Sequence, residues 1–143
     1  MAKSEKSIIG IDPGNAGAIA VLYNNEIVLY DMPTLITEGK GKTKKGNVKK
    51  HTVLDEQRVK YILEHEKPEH VFIEKAQSMP GQGSPATFNY AVSYALIRGI
   101  CVGLNIPYSL VHPATWRKKL MSDMDKGKQA SIVRAKQLFP NAD

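Results

Sequence analysis

Two acidic side chains each follow a short apolar run that is typical of a buried strand. Asp12 closes the run 8–11, and Glu74 closes the run 71–73. Carboxylates at neighbouring strand ends can share a hard divalent cation such as Mg²⁺ or Mn²⁺. The segment between the two acids is rich in lysine, and lysines attract phosphate. The combination predicts metal-dependent chemistry on nucleic acid.

Each acid also has a simpler interpretation. Asp12 begins Asp-Pro-Gly, which is a strong turn signal, so it could serve only to form a turn. Glu74 would be costly to bury without a partner. Lys75 is a poor partner, because adjacent strand residues point to opposite faces. We therefore favour metal ligation for both carboxylates.

A strongly basic segment lies between the two acids. It holds six lysines within eleven residues and no acid between Glu38 and Asp55. The six are Lys40, Lys42, Lys44, Lys45, Lys49 and Lys50. We interpret residues 33–52 as an extended, self-repelling loop that binds phosphate as a flap; a merely solvated loop is the alternative.

Composition limits the class of protein. The 143 residues, 42% of them hydrophobic, suit one domain with a genuine core, and the net charge is +6. No apolar stretch is long enough for a bilayer, and the first residues lack the apolar core of a signal peptide. Cys101 is the single cysteine, which excludes an internal disulfide and a Cys-based zinc site. We expect a cytoplasmic protein in which Cys101 is a small buried hydrophobe inside a helix.

The hydrophobic pattern predicts an α/β fold. Strands over 8–11, 18–23 and 26–31 form an antiparallel meander, with Asn24-Asn25 as a hairpin signal. Alternating elements follow, namely a helix over 55–66, a strand over 70–74, a helix over 86–104, a strand over 107–111, and helices near 112–119 and 128–139. Crossover connections then imply a mixed sheet with helices on its faces, and no domain boundary is evident.

The helix predicted over 86–104 has one face of small side chains. These recur every four positions, at Ala91, Ala95, Gly99 and Gly103. Such a face lets another backbone approach closely. It could pack on the sheet or form a helix–helix contact in a dimer.

An acid on the first strand and another on the fourth, in this order of elements, resembles the ribonuclease H-like fold. More narrowly, three segments resemble the RuvC-type Holliday-junction resolvases, in particular their phage and bacterial branch. They are Ile9-Gly10-Ile11-Asp12-Pro13-Gly14, Ile73-Glu74-Lys75 and Trp116-Arg117-Lys118, and the tail 128–140 adds to the likeness. The resemblance covers essentially the whole chain.

The resemblance implies a homodimeric endonuclease of DNA recombination and repair, which resolves four-way junctions by paired nicks. In that family, four carboxylates hold Mg²⁺ or Mn²⁺. Asp12 matches the first of them and Glu74 the second, so both are expected to be catalytic. Two metals about 4 Å apart can activate a water and stabilise the leaving oxygen.

The sequence departs from the family at its third and fourth carboxylates. No acidic pair follows the helix over 128–139, and Asp123 and Asp125 fall in a polar loop before it. We expect residues 1–143 to be a single ribonuclease H-like nuclease domain that lacks its C-terminal catalytic helix. A non-catalytic branched-DNA-binding module, or an inactive truncated form, with an incomplete metal site is the alternative.

The loop after Glu74 is expected to probe the junction, with Lys75 and Gln77 as DNA contacts. In the bacterial resolvases, an aromatic residue three positions after the strand glutamate acts as a wedge. Gln77 stands there, so this part of the resemblance fails. Met79 or Phe88 could replace the wedge, because apolar side chains can insert between bases. For Phe88 we prefer a place in the core.

A second basic cluster follows the last predicted strand. Arg117, Lys118 and Lys119 are expected to contact the DNA backbone. Trp116 is interpreted as a packing anchor rather than a base-stacking residue. His112 is interpreted as a hydrogen-bonded loop histidine, with a contact to water or phosphate as the alternative.

An actin-like phosphotransferase is a third hypothesis. Gly10, Asp12, Gly14 and Gly17 loosely resemble a phosphate-loop opening. The chain is too short for the two domains that such a site needs, so we rank this hypothesis last.

Overall fold

The computed structural model describes residues 6–24, 26–77, 83–125 and 127–142. The strands are β1 (Ser7–Asp12), β2 (Ala18–Tyr23), β3 (Glu26–Asp31), β4 (Thr34–Lys42), β5 (Val48–Leu54), β6 (His70–Glu74) and β7 (Tyr108–Val111). The helices are α1 (Glu56–Glu66), α2 (Ser84–Gly103), α3 (Pro113–Leu120) and α4 (Lys128–Leu138).

The main sheet has five strands in the order β3-β2-β1-β6-β7. β1, β2 and β3 form the predicted antiparallel meander, and β6 and β7 extend it in parallel with β1. Asn24 has a φ of 44° in the turn between β2 and β3, as its residue type allows. Asn25, the other half of that predicted hairpin signal, lies outside the described residues. The mixed α/β sheet is therefore confirmed.

One face of this sheet is buried and the other is open. Side chains alternate along β1, so that Ile9 and Ile11 are buried while Ile8, Gly10 and Asp12 are exposed. The buried side packs against α1 and α2 in a single apolar cluster. Its members from those helices include Val59, Ile62, Leu63, Ile97 and Cys101. Cys101 is fully buried in α2, as predicted, and burial raises the pKa of its thiol to about 11.

The predicted loop over 33–52 is wrong, because this segment is a β-hairpin made of β4 and β5. Gly46, at a φ of 82°, forms the turn, and its N–H donates to the Thr43 carbonyl over 2.9 Å. Gly41, at a φ of 99°, lies where the strand register shifts. Glycine adopts both conformations without steric cost. The hairpin is exposed along most of its length, and Leu54 at its base is buried in the core.

The small-residue face of α2 does not pack on the sheet. Ala91, Ala95, Gly99 and Gly103 are all exposed, which overturns sheet packing as their use. The face of α2 that enters the core instead carries Ser93, Ile97 and Cys101. No helix in the described part of the chain is long and apolar enough to cross a membrane.

Glu66 is a buried acid at the opposite end of the sheet from Asp12. Its Oε1 accepts a hydrogen bond from the Tyr30 hydroxyl over 2.5 Å, and its carbonyl accepts one from Ser7. Burial raises the pKa of the Glu66 carboxyl above its ordinary value of 4.5, because desolvation disfavours the charged form. The folded protein therefore holds this proton more tightly than the unfolded chain does. That contribution to stability is fully present below pH 4.5 and is lost as the pH rises through the raised pKa.

We predict that Glu66→Gln gains stability relative to the natural chain as the pH rises from 4 to 7. Glutamine can still accept from Tyr30, but it never has to carry a buried charge. The free energies of urea unfolding of both proteins at several pH values in this range give the measurement. A difference between them that does not change with pH would contradict the assignment.

Candidate metal centre and nucleic-acid interface

The two candidate carboxylates lie side by side at the ends of neighbouring parallel strands. β1 pairs with β6 so that Ile11 is opposite Ile73, which places Asp12 and Glu74 next in register. Neighbouring strands are about 4.8 Å apart, and both acids are on the open face of the sheet. Together they line a cavity of about 320 Å³. Its other lining residues are Gly10, Ile11, Phe72, Val111 and Trp116.

Asp12 shapes the loop that follows β1. Its Oδ1 accepts a hydrogen bond from the Gly14 N–H over 3.2 Å, so the turn-forming interpretation is correct as far as it goes. A Cβ at Gly17 would lie 2.1 Å from the Asp12 carbonyl oxygen, so only glycine fits there. The carboxylate is nevertheless exposed towards the cavity. A turn former in this position can also bind a cation.

Glu74 is held by a tryptophan. The Trp116 indole Nε1–H donates to Glu74 Oε2 over 2.7 Å, and both side chains are half-buried. Trp116 is therefore a hydrogen-bond donor, and it is not a member of the apolar core cluster. Lys75 is exposed and makes no ion pair with Glu74 among the described residues, in keeping with the opposite directions of adjacent strand side chains.

Tyr90 on α2 is a residue of this site that the sequence did not single out. A Cβ at Gly14 would lie 3.5 Å from its ring, so the ring packs against the Asp12 loop. Burial, and then the negative charges of Asp12 and Glu74, raise the pKa of the Tyr90 hydroxyl to about 12. The phenol stays protonated at neutral pH and can donate a hydrogen bond beside the carboxylates.

His112 connects the loop after β6 to the start of α3. Its Nδ1 accepts from the Ala114 N–H over 3.3 Å and caps the helix. The neutral ring therefore carries its proton on Nε2, which hydrogen-bonds to the side-chain amide of Gln77. For the Nε2–H of His112 to be satisfied, the Gln77 amide has to turn its oxygen towards the ring. The predicted hydrogen-bonded histidine is thus present, and Gln77 is its partner.

The donor set fits half of a magnesium or manganese site. Asp12 and Glu74 offer the oxygen ligands that such hard cations prefer. Within the described residues, no group of three or more His, Cys, Asp or Glu side chains could hold a metal. Asp123 is paired with Arg134, which holds the pKa of its carboxyl below the ordinary value, and it lies with Asp125 against α4. Neither of these two acids completes the site.

The six lysines of the basic segment are exposed on the β4–β5 hairpin. None of them joins an ion pair in the part of the chain that the structure describes. The base of the hairpin adjoins the Asp12 loop: the Asn15 side-chain amide donates to the Thr52 carbonyl over 3.0 Å. Asn15 also accepts from the buried Ser93 hydroxyl of α2 over 3.2 Å. One side chain therefore ties the basic hairpin, the Asp12 loop and α2 together.

The second basic cluster lies beside Glu74. Arg117, Lys118 and Lys119 are exposed on the last turn of α3. The Arg117 guanidinium lies over the Trp116 ring, 5.3 Å from its centroid. A further cavity lies next to that of the carboxylates, and its lining includes Lys75, Trp116 and Lys119. The two strand-end acids thus have cationic side chains close by on α3 and after β6.

The wedge candidates have different outcomes. Phe88, for which we preferred a core position, is 67% exposed on the first half of α2, so that prediction is wrong. It remains available for contact with another molecule. Met79 lies outside the described residues.

No protein-family model and no curated protein matches the sequence. Among the solved structures that match in fold are two of RuvC. The structure of T. thermophilus RuvC in complex with Holliday junction substrate has a TM-score of 0.62 at 12% identity, covering 94% of this chain and 79% of that one. A Thermus thermophilus RuvC structure has a TM-score of 0.59 at 16% identity, covering 94% and 80%.

The chain has the RuvC fold. For the fold, this confirms the resemblance to RuvC noted in the sequence and the ribonuclease H-like α/β class. Counted along the chain, the strand that carries Glu74 is the sixth rather than the predicted fourth, because the β4–β5 hairpin precedes it.

We predict that Asn15→Ala lowers the free energy of unfolding by about 1 to 3 kcal/mol, because the buried Ser93 hydroxyl loses its partner. Urea unfolding measures the loss. Removing the hydroxyl as well, in Asn15→Ala with Ser93→Ala, is the control, and it should recover part of the loss. Strictly additive effects of the two substitutions would argue against the contact.

Proposed function

We propose that this protein is a structure-specific endonuclease that resolves four-way DNA junctions by paired, metal-dependent phosphodiester hydrolysis. The observation that carries the proposal is the pair of carboxylates at the adjacent ends of β1 and β6, between two exposed basic clusters. A Holliday junction is the substrate bound in one of the two RuvC structures with the same fold. We place the activity on DNA in the cytoplasm of a bacterial or phage-infected cell.

Asp12 and Glu74 would hold the Mg²⁺ or Mn²⁺. When bound, the cation would supply Lewis-acid stabilisation of a phosphate oxygen and a more acidic water. Tyr90, as a neutral phenol against the Asp12 loop, can donate to a phosphate oxygen without adding charge. Phe72 and Val111 give the cavity an apolar wall.

We infer that further carboxylates come from a helix that covers the open face of the sheet. On that face, Ile8 of the central strand β1 is 44% exposed, Phe72 of its neighbour β6 is 41% exposed, and Leu29 of the edge strand β3 is 50% exposed. On α4, Ile132, Val133 and Leu138 are exposed as well. An amphipathic helix that crosses the open face would bury this surface and could bring acids to Asp12 and Glu74.

We also propose that the protein is a homodimer that joins through α2. The exposed small residues of α2 adjoin the exposed side chains of Val92, Leu96 and Val102. A cavity of about 490 Å³ opens between α1 and α2 along this surface. Small residues allow two helices to approach closely, and a symmetric pair would present two nicking sites to one junction.

A non-catalytic junction-binding module is the second candidate. The observation in its favour is that the described residues offer two carboxylates and no larger ligand group. Both candidates require a preference for branched DNA. Gel-shift comparison of a four-way junction with linear duplex of equal length tests this, and equal affinities would count against both.

For the nuclease, we predict that Asp12→Asn and Glu74→Gln each reduce the rate of junction nicking in Mg²⁺ or Mn²⁺ by at least about 100-fold, since each removes a metal ligand. Junction binding without metal should be retained. Glu64→Gln, which neutralises an exposed acid on α1, is the control and should cut normally.

Unreduced nicking by either variant would overturn the assignment of the site. A natural chain that binds junctions selectively but does not cut them in either metal would support the module instead. Binding and cutting are therefore measured on the same preparations.

For the hairpin, we predict that Lys44→Gln with Lys45→Gln weakens junction binding and lowers the slope of log affinity against log salt by up to about 2. The reason is that each lysine that contacts phosphate releases about one counterion. Lys67→Gln with Lys136→Gln is the control: these exposed lysines, directly after α1 and on α4, give the same charge change. Equal weakening by both pairs would mean that net charge alone matters.

A further inference from the structure

The contact between Trp116 and Glu74 joins residues 42 positions apart, and the metal ligation proposed above does not by itself require it. Indole is a donor only, so the Nε1–H at 2.7 Å from Oε2 must be a donated hydrogen bond. It occupies one oxygen of Glu74 and leaves Oε1 for another ligand. An indole is also neutral, so it orients the carboxylate without cancelling the charge that attracts a cation. A lysine or arginine in its place would compete with the metal.

The helix that carries Trp116 is fixed at its start. His112 caps α3 through the Ala114 N–H and binds the Gln77 side chain in the loop after Glu74. The backbone N–H of Trp116 donates to the His112 carbonyl one turn earlier, over 3.4 Å. α3 therefore begins at a fixed place after β7, and Trp116 in its first turn reaches Glu74 at the end of β6. The Arg117 guanidinium lies 5.3 Å from the centroid of the Trp116 ring.

We propose that Trp116 is a positioning residue that fixes Glu74 in the orientation needed to bind a divalent cation together with Asp12. This inference rests on the proposed metal site but adds a residue outside the carboxylate set. Partners of this kind behind a ligand typically contribute 10- to 100-fold to metal affinity.

Trp116 is the single tryptophan of the chain, which gives the proposal a direct readout. A ¹H–¹⁵N spectrum of the natural protein contains one indole signal. Without metal, Glu74→Gln should shift that signal, because a hydrogen bond to an ionised carboxylate becomes one to a neutral amide. On addition of Mg²⁺, the indole signal of the natural protein should move and saturate together with the backbone amide of Asp12. In Glu74→Gln this response should be lost.

The affinity test uses Trp116→Phe, which keeps an aromatic ring and removes the donor. The Mg²⁺ affinity of this variant is measured from the backbone amide signal of Asp12, and it should fall about tenfold. Tyr30→Phe is the matched control. It also removes an aromatic hydrogen-bond donor from a carboxylate, that of Glu66, at the opposite end of the sheet, and it should bind Mg²⁺ like the natural chain.

The outcomes test the metal site and the positioning role of Trp116 separately. If Mg²⁺ shifts no signal near Asp12 or Glu74, the proposed metal site fails, and the proposal for Trp116 falls with it. If the Asp12 signal saturates while the indole signal stays still, or Trp116→Phe binds Mg²⁺ unchanged, the metal site stands and the positioning role is overturned. If Trp116→Phe does not fold, the indole responses of the natural protein and of Glu74→Gln decide alone.

Discussion

The parallel pairing of β1 with β6 is the constraint on which the site depends. It places Ile11 opposite Ile73, 62 positions later in the sequence, and it leaves an acid at the end of each strand. Two carboxylates at this spacing repel each other, and a divalent cation between them relieves the repulsion. The apolar strands that precede them are packed against α1 and α2, so the core fixes the backbone positions of both acids. The spacing of the pair therefore depends on the packing of the whole sheet.

The surroundings of the two acids favour neutral donors. Asp12 accepts a hydrogen bond from the Gly14 backbone N–H, and Glu74 accepts one from the Trp116 indole. Tyr90 lies beside them as a protonated phenol. Cationic side chains on α3 and along the β4–β5 hairpin face solvent and form no ion pair with the two acids among the described residues. This separation would suit the proposed site, which has to bind both a cation and a polyanion. Lysines in contact with the carboxylates would compete with the cation. Without lysines on the surrounding surface, the polyanion would bind less tightly.

Much of the fold could be predicted from local patterns, and the failures have physical causes. The meander, α1 and β6 follow from apolar periodicity and end signals that lie within a few residues. The hairpin of β4 and β5 was missed because its strands are exposed and its lysines mask their strand character; strand preference depends on context more than on residue type. The pattern of small residues on α2 fits sheet packing and a helix–helix contact equally, and the structure excludes the first, because Ser93, Ile97 and Cys101 form the buried face of the helix. At the site, Asp12 and Glu74 were predictable from strand ends, whereas the Trp116 contact and the place of Tyr90 depend on tertiary packing.

The uncovered apolar surfaces connect the fold to the chemistry. The open sheet face is the face that carries Asp12 and Glu74, so whatever covers it also closes the cavity over the two acids. Exposed Ile8, Leu29 and Phe72 favour such a covering by about 25 cal/mol for each Å² of apolar surface removed from water. Repulsion among added carboxylates would oppose it until a cation binds. Packing of the open face and loading of the metal would then be coupled, because each lowers the cost of the other.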